Sequence, residues 1–307
     1  MQGKIIKSTG LQYIVMNSNG LRYNCMLKGG FRNDNIKSTN PLVVGDIVEF
    51  EERSKLFVII RILKRKNYIK RKSVNLSKKI HIIAANIDQA ILMITLDHPV
   101  TTLLFIDRFL VEAKASSIDV ILLFNKIDLF NERLKVRQNE IINLYENIGY
   151  TCFSFSVLND DLSCLKDAMK DKINVIAGHS GVGKSTLINK LDSKLNIKTS
   201  SISDAHNQGQ HTTTFSELHL LDFGASIIDT PGVKGFGLIE IEKKDIREYF
   251  EEFILFQNEC KYKNCMHKNE PDCNVKKQIG TSISQNRYLN YLSIIDECDE
   301  QYRNNKY

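Results

Sequence analysis

A glycine-rich segment in the middle of the chain has the residue types and spacing of a phosphate-binding loop. Residues 173 to 186 read Ile-Asn-Val-Ile-Ala-Gly-His-Ser-Gly-Val-Gly-Lys-Ser-Thr, which fits the pattern GxxxxGKS. Glycines let the backbone curl so that several N–H groups point at one anion, and the N-terminus of the helix that follows also favours negative charge. Lys184 can then reach the β- and γ-phosphates of a nucleotide, and Ser185 can ligate Mg²⁺. The predicted nucleotide-binding residues of this loop are Gly178, His179, Ser180, Gly181, Val182, Gly183, Lys184, Ser185 and Thr186.

A second motif, Asn125-Lys-Ile-Asp128, directly follows an apolar run at 120–124. In open α/β sheets, ligands bind at the edge where the strands end. An aspartate carboxylate at that edge can accept from both N1–H and the 2-amino group of guanine, whereas adenine offers neither donor in that geometry. Asp128 alone could cap the next segment, but a phosphate loop on the same sheet favours guanine recognition. The residues predicted to read the base are Asn125, Lys126, Ile127 and Asp128.

Two further segments have the composition of nucleotide switches. Asp229-Thr-Pro-Gly232 ends an apolar run at 225–228, so the aspartate suits a magnesium-bound water and the Gly232 N–H can meet the γ-phosphate. Gly209-Gln-His-Thr-Thr-Thr214 can offer a threonine hydroxyl to Mg²⁺, which would order this loop in the triphosphate state. Thr213 is the candidate ligand, with Thr212 and Thr214 as alternatives. An ordinary Pro-Gly turn and a solvated threonine-rich loop are the alternatives.

The residue after Gly232 is Val233, where Ras-like enzymes have a glutamine that orients the attacking water. A valine cannot hydrogen-bond to water, so intrinsic hydrolysis should be slow and another group must position the nucleophile. His211 is the nearest polar candidate because it lies in the loop that would close over the γ-phosphate. Simple solvation of this loop is the alternative. We therefore expect a catalytic role for His211 once an external surface orders the loop.

A third chemical centre lies near the C-terminus, where three cysteines and one histidine fall within a short segment. Thiolates and imidazole are the ligands that zinc prefers in closed, structural sites, and a chance cluster of free thiols is the alternative. Helical patterns at 244–256 and 285–297 flank the cluster, so the ion would stabilise a small helical domain. The predicted zinc ligands are Cys260, Cys265, His267 and Cys273.

The segments between these motifs predict the elements that position them. Strand and helix patterns alternate, which indicates a mostly parallel sheet with helices on both faces. The guanine motif precedes the phosphate loop, the reverse of the order in Ras-like domains, so this domain is circularly permuted. Ser156 and Val157 would supply the segment behind the base. The predicted strands are 89–96, 120–124, 152–157, 175–177 and 225–228, and the predicted helices are 104–115, 132–147, 161–170 and 186–191.

The first 62 residues contain short apolar runs separated by turn residues, a pattern typical of a small closed β-barrel. An OB-type barrel that binds oligonucleotides is favoured over an SH3-like barrel that binds protein or a purely structural cap. Residues 64–80 form a basic segment that we interpret as a solvated linker, in which Tyr68 could stack on a base. The predicted barrel strands are 4–7, 12–16, 23–27, 42–44, 47–50 and 57–62.

Charge and composition bound the partners. The chain has 307 residues and a net charge of +6, yet residues 1–80 alone hold 17 Lys and Arg against five Asp and Glu. This asymmetry favours a polyanion-binding N-terminal region. No apolar run approaches the roughly 20 residues that span a bilayer, and the N-terminus lacks a signal-peptide pattern. We therefore expect a monomer in the cytoplasm with no membrane partner.

Together these motifs resemble the RsgA (YjeQ) family of circularly permuted GTPases of small ribosomal subunit biogenesis. The resemblance implies an OB-fold RNA-binding domain with a basic linker at 1–70, a permuted α/β P-loop GTPase domain at 71–238 and a helical zinc domain at 239–307. It also implies a GTPase that docks on the 30S subunit and its 16S rRNA late in maturation. From Val233 and the basic N-terminal region we further expect small subunits to stimulate hydrolysis of GTP to GDP and phosphate. The family's switch loop usually has an arginine where this chain has Gln210. The resemblance rests on Gly45-Asp46, residues 85–89, Asp107-Arg108, residues 125–128, 178–186, 212–214 and 229–232, and the Cys/His spacing.

Two other classes of protein fit part of the pattern. A P-loop ATPase or kinase would share the phosphate loop, but the Asn125 to Asp128 motif argues against it. A non-catalytic RNA-binding module that keeps a nucleotide pocket would share the barrel, but intact Lys184, Ser185 and Asp229 argue against that interpretation.

Overall fold

The computed structural model describes residues 1–9, 12–27, 41–72, 80–195, 216–229 and 241–304. Five residues singled out in the sequence, Gln210, His211, Thr213, Gly232 and Val233, lie outside the described residues. Asp229 is the last residue of a strand and is described here by its backbone only.

The N-terminal unit is a closed five-stranded barrel, as predicted. Antiparallel pairing joins β1 to β2, β2 to β3, β5 to β4 and β4 back to β1, while β3 and β5 run parallel. Alternate residues such as Tyr13, Val15 and Phe50 point inward and form its core. The OB-type prediction is confirmed. The strands are β1 Gln2–Ser8, β2 Gln12–Met16, β3 Arg22–Leu27, β4 Ile47–Arg53 and β5 Leu56–Ile62.

The prediction of a strand at 42–44 is wrong, because this segment forms no regular strand. Leu42, Val43 and Val44 are all buried, but each packs into a different apolar cluster, and the segment forms only an isolated bridge between Val44 and Ala84. Asp46 holds the segment in a turn, because its Oδ2 accepts from the Val43 backbone N–H at 2.9 Å. The apolar run therefore reflects burial on several sides and not a strand with one buried face.

The basic segment 64–80 is not simply a solvated linker. Tyr68–Lys72 forms strand β6, which pairs antiparallel with β7, Ile80–Ala85. Ile69 is buried in the main core, and Tyr68 is half-buried against Val43, Ile82 and Ala85. Because lysines and arginines surround Ile69, the sequence of this short strand shows no apolar periodicity.

The central unit is a three-layer α/β domain whose sheet has the order β10-β9-β8-β11-β13-β12. The first five strands are parallel and β12 is antiparallel, so the predicted mostly parallel sheet is confirmed. Helices α1 and α2 pack on one face, and α3 and α4 on the other. The elements are β8 Gln89–Ile94, α1 Leu103–Ala115, β9 Asp119–Phe124, α2 Glu132–Asn147, β10 Thr151–Ser154, α3 Ser163–Met169, β11 Ile173–Ala177, α4 Lys184–Leu191, β12 Glu217–Leu220 and β13 Ser226–Asp229.

The C-terminal unit packs on α1. A 3₁₀ helix at Lys243–Tyr249 precedes α5, Glu251–Gln257, so the single helix predicted at 244–256 is interrupted. The interruption is at Phe250, which has an extended backbone and whose ring stacks on Phe253 and contacts the edge of Tyr291. Two helices follow, α6 Asn274–Lys277 and α7 Gln285–Asn304.

The barrel and the central sheet are continuous. The edge strand β12 pairs with β1 at Lys7 and Glu217, whose side chains form an ion pair at 2.7 Å, so eleven strands form one sheet. None of the helices in the described part of the chain has the length and apolar character required to cross a membrane.

Candidate nucleotide and metal sites

The phosphate loop leaves the end of β11 at the middle of the parallel sheet and leads into α4. Gly178 and Gly183 both have positive φ angles, 140° and 106°. A Cβ at Gly178 would lie 2.6 Å from the Met93 carbonyl oxygen, and one at Gly183 would lie 2.5 Å from Asn125 Nδ2. Only glycine fits such positions. The loop is therefore packed against β8 and β9, with the N-terminus of α4 behind it.

Lys184 lies over the phosphate loop. Its Nζ donates to the carbonyl oxygens of Gly178 at 2.9 Å and His179 at 2.7 Å. Ser185 and Thr186 follow on the first turn of α4 and are half-buried. A cation held above a helix N-terminus creates a site that favours an anion.

Asn125 joins the phosphate loop to the segment after β10. It is buried, its Nδ2 donates to the Val182 carbonyl oxygen at 2.8 Å, and its Oδ1 accepts from the Val157 backbone N–H at 3.0 Å. One donor and one acceptor position of the amide are therefore used within the protein. The side chain holds two parts of the site together, and its contact with a base stays a prediction.

The other three residues of this motif differ in exposure: Lys126 and Ile127 are half-buried, Ile127 against the main core, and Asp128 is exposed. Lys126 has a left-handed backbone with φ 64°, and its Nζ donates to the His98 carbonyl oxygen at 2.7 Å. Ile127 and Asp128 lie in a 3₁₀ turn. Asp128 is exposed, and no hydrogen bond or ion pair to its carboxylate occurs among the described residues. Its carboxylate is thus open to a ligand.

Residues 156–160 form a tight turn beside Asn125, which we call the 156–160 turn. The buried Ser156 donates its backbone N–H to Asp160 Oδ2 at 2.7 Å, and its carbonyl oxygen accepts from the N–H groups of Asn159 and Asp160. The Leu158 N–H has no acceptor in the described part of the chain. The sequence predicted a role for Ser156 but did not indicate Leu158, because a free backbone N–H does not depend on the type of residue.

His179 packs the phosphate loop against α1. Its ring lies 4.1 Å from the ring of Phe105, with 34° between the ring planes. Burial, together with the positive charge of Lys184, lowers the pKa of His179 below its usual value. The neutral ring thus acts as an apolar contact, a role that the loop pattern did not predict.

Asp229 ends β13, which runs parallel to β11 with Ile228 beside Val175. Its backbone is therefore at the same edge of the sheet as the phosphate loop. The predicted partners His211, Thr213 and Gly232 lie outside the described residues, so their roles stay predictions.

The four predicted metal ligands meet in the C-terminal unit. The ligand atoms of Cys260, Cys265, His267 and Cys273 all lie within 4.8 Å of one another. His267 Nδ1 is 3.3 Å from Cys273 Sγ and 3.7 Å from Cys260 Sγ. The sulfur atoms of Cys260 and Cys273 are 3.9 Å apart, far beyond the roughly 2.05 Å of a disulfide bond. This donor set fits a tetrahedral zinc ion.

Neighbouring groups support the cluster. The Lys276 backbone N–H lies 3.4 Å from Cys273 Sγ, and the Tyr288 hydroxyl donates to the His267 carbonyl oxygen at 2.7 Å. Burial raises the pKa of the Cys273 thiol to about 12 and lowers the pKa of His267 to about 4. Without a cation the site therefore favours neutral thiols, and a divalent cation would supply the charge that stabilises the thiolates.

The sheet order, the central phosphate loop and the guanine motif that precedes it define a P-loop GTPase domain with a circularly permuted order of motifs. A family model described as RsgA GTPase matches residues 62–239, and one described as RsgA N-terminal domain matches residues 2–56. The chain belongs to the RsgA GTPase family.

Relatives and solved structures agree with this assignment. The chain is 49% identical to the small ribosomal subunit biogenesis GTPase RsgA of Flavobacterium psychrophilum, over 100% of this chain and 96% of the relative. The protein of the same name from Phocaeicola vulgatus is 45% identical, over 99% of both chains. The crystal structure of YjeQ from Thermotoga maritima matches with a TM-score of 0.80 and 31% identity, covering 97% of this chain and 98% of that chain. YloQ, described as a circularly permuted GTPase, matches with a TM-score of 0.77 and 28% identity, covering 98% of this chain and 95% of that chain.

Proposed function

We propose that the chain hydrolyses GTP to GDP and phosphate and acts in the biogenesis of the small ribosomal subunit. The observation that carries the nucleotide part is the Asn125 side chain, which joins Val182 of the phosphate loop to Val157 and belongs to the same motif as the exposed Asp128. A site for phosphates and a site for a base are thereby held next to each other. The names of the relatives support the biological part.

The phosphates would bind in the loop 178–186, with Lys184 leaving the loop carbonyls for the β- and γ-phosphates. Ser185 and Thr213 would hold Mg²⁺, with Asp229 acting through a water. When bound, Mg²⁺ supplies positive charge that neutralises the phosphate oxygens. His211 would orient the attacking water.

The base would be read at two points. Asp128 has a free carboxylate, which can accept from N1–H and the 2-amino group of guanine. Leu158 has a free backbone N–H, which can donate to the 6-oxo group, and Ser156 and Asn125 hold that segment in place. Adenine has an amino group at position 6 and no 2-amino group, so both contacts would be lost with ATP.

The three units would divide the work. We assign RNA binding to the barrel unit at 1–70, nucleotide hydrolysis to 71–238 and a zinc-stabilised helical domain to 239–307. The positive balance of residues 1–80 suits the phosphates of 16S rRNA on the 30S subunit. We expect the chain to act as a monomer in the cytoplasm, and the role in small-subunit biogenesis given by the relatives' names supports this location. One zinc ion per chain would be structural, because four protein ligands leave no position for a substrate water.

The first test concerns Asp128. Asp128→Asn should weaken GDP binding and improve binding of xanthosine diphosphate, whose 2-position oxygen accepts a hydrogen bond where guanine donates one. Asp119→Asn is the matched control, because Asp119 is exposed at the opposite end of β9. Calorimetric titration of both variants with both nucleotides measures the change. Unchanged selectivity in Asp128→Asn would refute the base assignment.

A direct comparison separates this function from the ATPase alternative. Titration of the parent chain with GDP and ADP should show a clear preference for GDP. Tighter binding of the adenine nucleotide would end the GTPase proposal.

A further inference from the structure

We propose that Lys190 is a positioning residue for guanine recognition, because it ties the 156–160 turn to the helix that begins at the phosphate loop. This inference rests on the proposed function, in which the 156–160 turn offers the Leu158 N–H to the base.

The geometry of Lys190 is specific. Its Nζ donates to the carbonyl oxygen of Leu158 at 3.0 Å and to that of Asp160 at 2.7 Å. Hydrogen bonds from an ammonium group are stronger than those between neutral groups. One side chain on α4 therefore holds two peptide groups of the turn, one on each side of Asn159.

The other contacts of the turn come from Asn125 and from hydrogen bonds between its own first and last residues, including those from the Asn159 and Asp160 N–H groups to the Ser156 carbonyl oxygen. Asn125 Oδ1 accepts from the Val157 N–H, and the Asp160 carboxylate accepts from the Ser156 N–H. Leu158 itself is 71% exposed, so burial of its side chain does not fix its backbone. Lys190 adds hydrogen bonds from outside the turn, and one of them goes to the carbonyl oxygen of Leu158, the residue with the free N–H.

The position of Lys190 on α4 connects the 156–160 turn to the phosphate loop. Lys184 begins α4 at the phosphate loop, and Lys190 lies about 9 Å further along the same helix at 1.5 Å per residue. A rigid helix thus carries both the phosphate contact and the support of the base contact. A nucleotide must contact the phosphate loop and the 156–160 turn at the same time. Because the helix fixes the distance between these two segments, less conformational entropy is lost when the nucleotide binds.

The test uses nucleoside diphosphates, which are not hydrolysed. Guanine and hypoxanthine share the 6-oxo group that the turn would contact, and hypoxanthine lacks only the 2-amino group assigned to Asp128. Lys190→Met should weaken GDP and IDP binding by the same factor, about tenfold for the loss of charged hydrogen bonds. ADP binding should stay unchanged, because adenine makes no contact with the Leu158 N–H.

Two further variants serve as controls. Lys190→Arg keeps a cationic donor and should retain most of the GDP affinity. Lys194→Met removes a nearby exposed lysine, whose Nζ pairs with Asp222 at 2.8 Å, and should bind all three nucleotides like the parent.

The result expected is a smaller preference for GDP over ADP in Lys190→Met with an unchanged ratio of GDP to IDP affinity. Equal losses for all three nucleotides would indicate general damage to α4 and overturn the inference, as would GDP affinity equal to that of the parent. The proposed function itself is tested by the parent chain: if the parent does not bind GDP more tightly than ADP, guanine recognition is wrong, whatever the Lys190 variants show.

Discussion

At the scale of single residues, Gly183 shows how tightly the nucleotide site is packed. Its φ is 106°, and an added Cβ would lie 2.5 Å from Asn125 Nδ2, the atom that donates to Val182. Gly183→Ala should therefore displace Asn125 and weaken GDP binding by about tenfold or more, because a buried hydrogen bond is lost and a left-handed alanine is strained. Calorimetric titration with GDP measures the loss.

Gly149→Ala is the matched control for Gly183→Ala. Gly149 has a similar φ of 100°, but nothing lies within 4 Å of an added Cβ. Both alanines carry similar backbone strain, so the contact with Asn125 is the main difference. GDP affinity that falls equally in the two variants would contradict the role assigned to this contact.

Residue types predicted the site only where a side chain carries the chemistry. Lys184 and Asp128 could be named because an ammonium and a carboxylate are visible in the sequence, and the structure places both at the same sheet edge. Asn125 was predicted to contact the base, and its structural role in joining the phosphate loop to Val157 was not visible from residue type. The role proposed for Leu158 uses its backbone N–H, and the role proposed for Lys190 uses a contact between distant segments, so neither could be found from residue type.

At the scale of elements, α1 connects the GTPase domain to the C-terminal unit through a buried ionic cluster. Arg287 on α7 donates to both Glu252 oxygens at 2.7 and 2.8 Å and to Asp107 on α1 at 2.6 Å. Tyr145 also donates to Asp107 at 2.7 Å. All four side chains are buried, so each charge depends on its partners.

Removing the guanidinium should be costly. Arg287→Met would leave Asp107 and Glu252 buried without their cation, and should lower the free energy of unfolding by about 3–5 kcal/mol. Urea-induced unfolding measures the change. Lys244→Met breaks the exposed Lys244–Glu242 pair in the same unit and should unfold like the parent. A parent-like Arg287→Met would contradict the importance of the buried cluster.

The cluster of Cys260, Cys265, His267 and Cys273 is a second feature at this scale, and we expect bound zinc to stabilise the C-terminal unit. Cys265→Ser should lose most of the bound zinc and melt at a lower temperature, because metal binding contributes directly to the stability of such small units. Metal analysis of freshly purified protein and thermal unfolding measure both effects. Cys164→Ser changes an exposed cysteine outside the cluster and should behave like the parent. Well under one zinc per parent chain would contradict the assignment.

Elements with clear periodicity were predicted well, and those shaped by tertiary contacts were not. Helix α2 has the predicted bounds, because its apolar residues recur at helical spacing along one face. Strand β12 was not predicted, because its alternating polar and apolar residues extend over only four positions. The buried run at 42–44 and the break at Phe250 depend on packing against other parts of the chain.

At the scale of the whole molecule, both flanking units attach to the GTPase domain by specific contacts. The barrel joins through the Lys7–Glu217 pair and through Asn86, whose Nδ2 donates to the Gly45 carbonyl oxygen at 2.9 Å. A Cβ at Gly45 would lie 2.0 Å from the Ala85 carbonyl oxygen, so only glycine allows this approach. Strand β12 pairs with β1 of the barrel and follows residues 209–214, the predicted switch loop, in the chain. We therefore expect RNA bound at the barrel to change the conformation of that loop.

The central claim is tested most directly by the rate of GTP hydrolysis with purified small ribosomal subunits, with large subunits as the matched control. The chain alone should turn over slowly because Val233 cannot orient a water, and small subunits should stimulate hydrolysis strongly while large subunits do not. His211→Ala should lose most of the stimulated turnover and still bind GDP, and a fully active variant would reject the role of this histidine alone. Equal rates of GTP hydrolysis with and without small subunits would contradict the claim that the small subunit activates this GTPase.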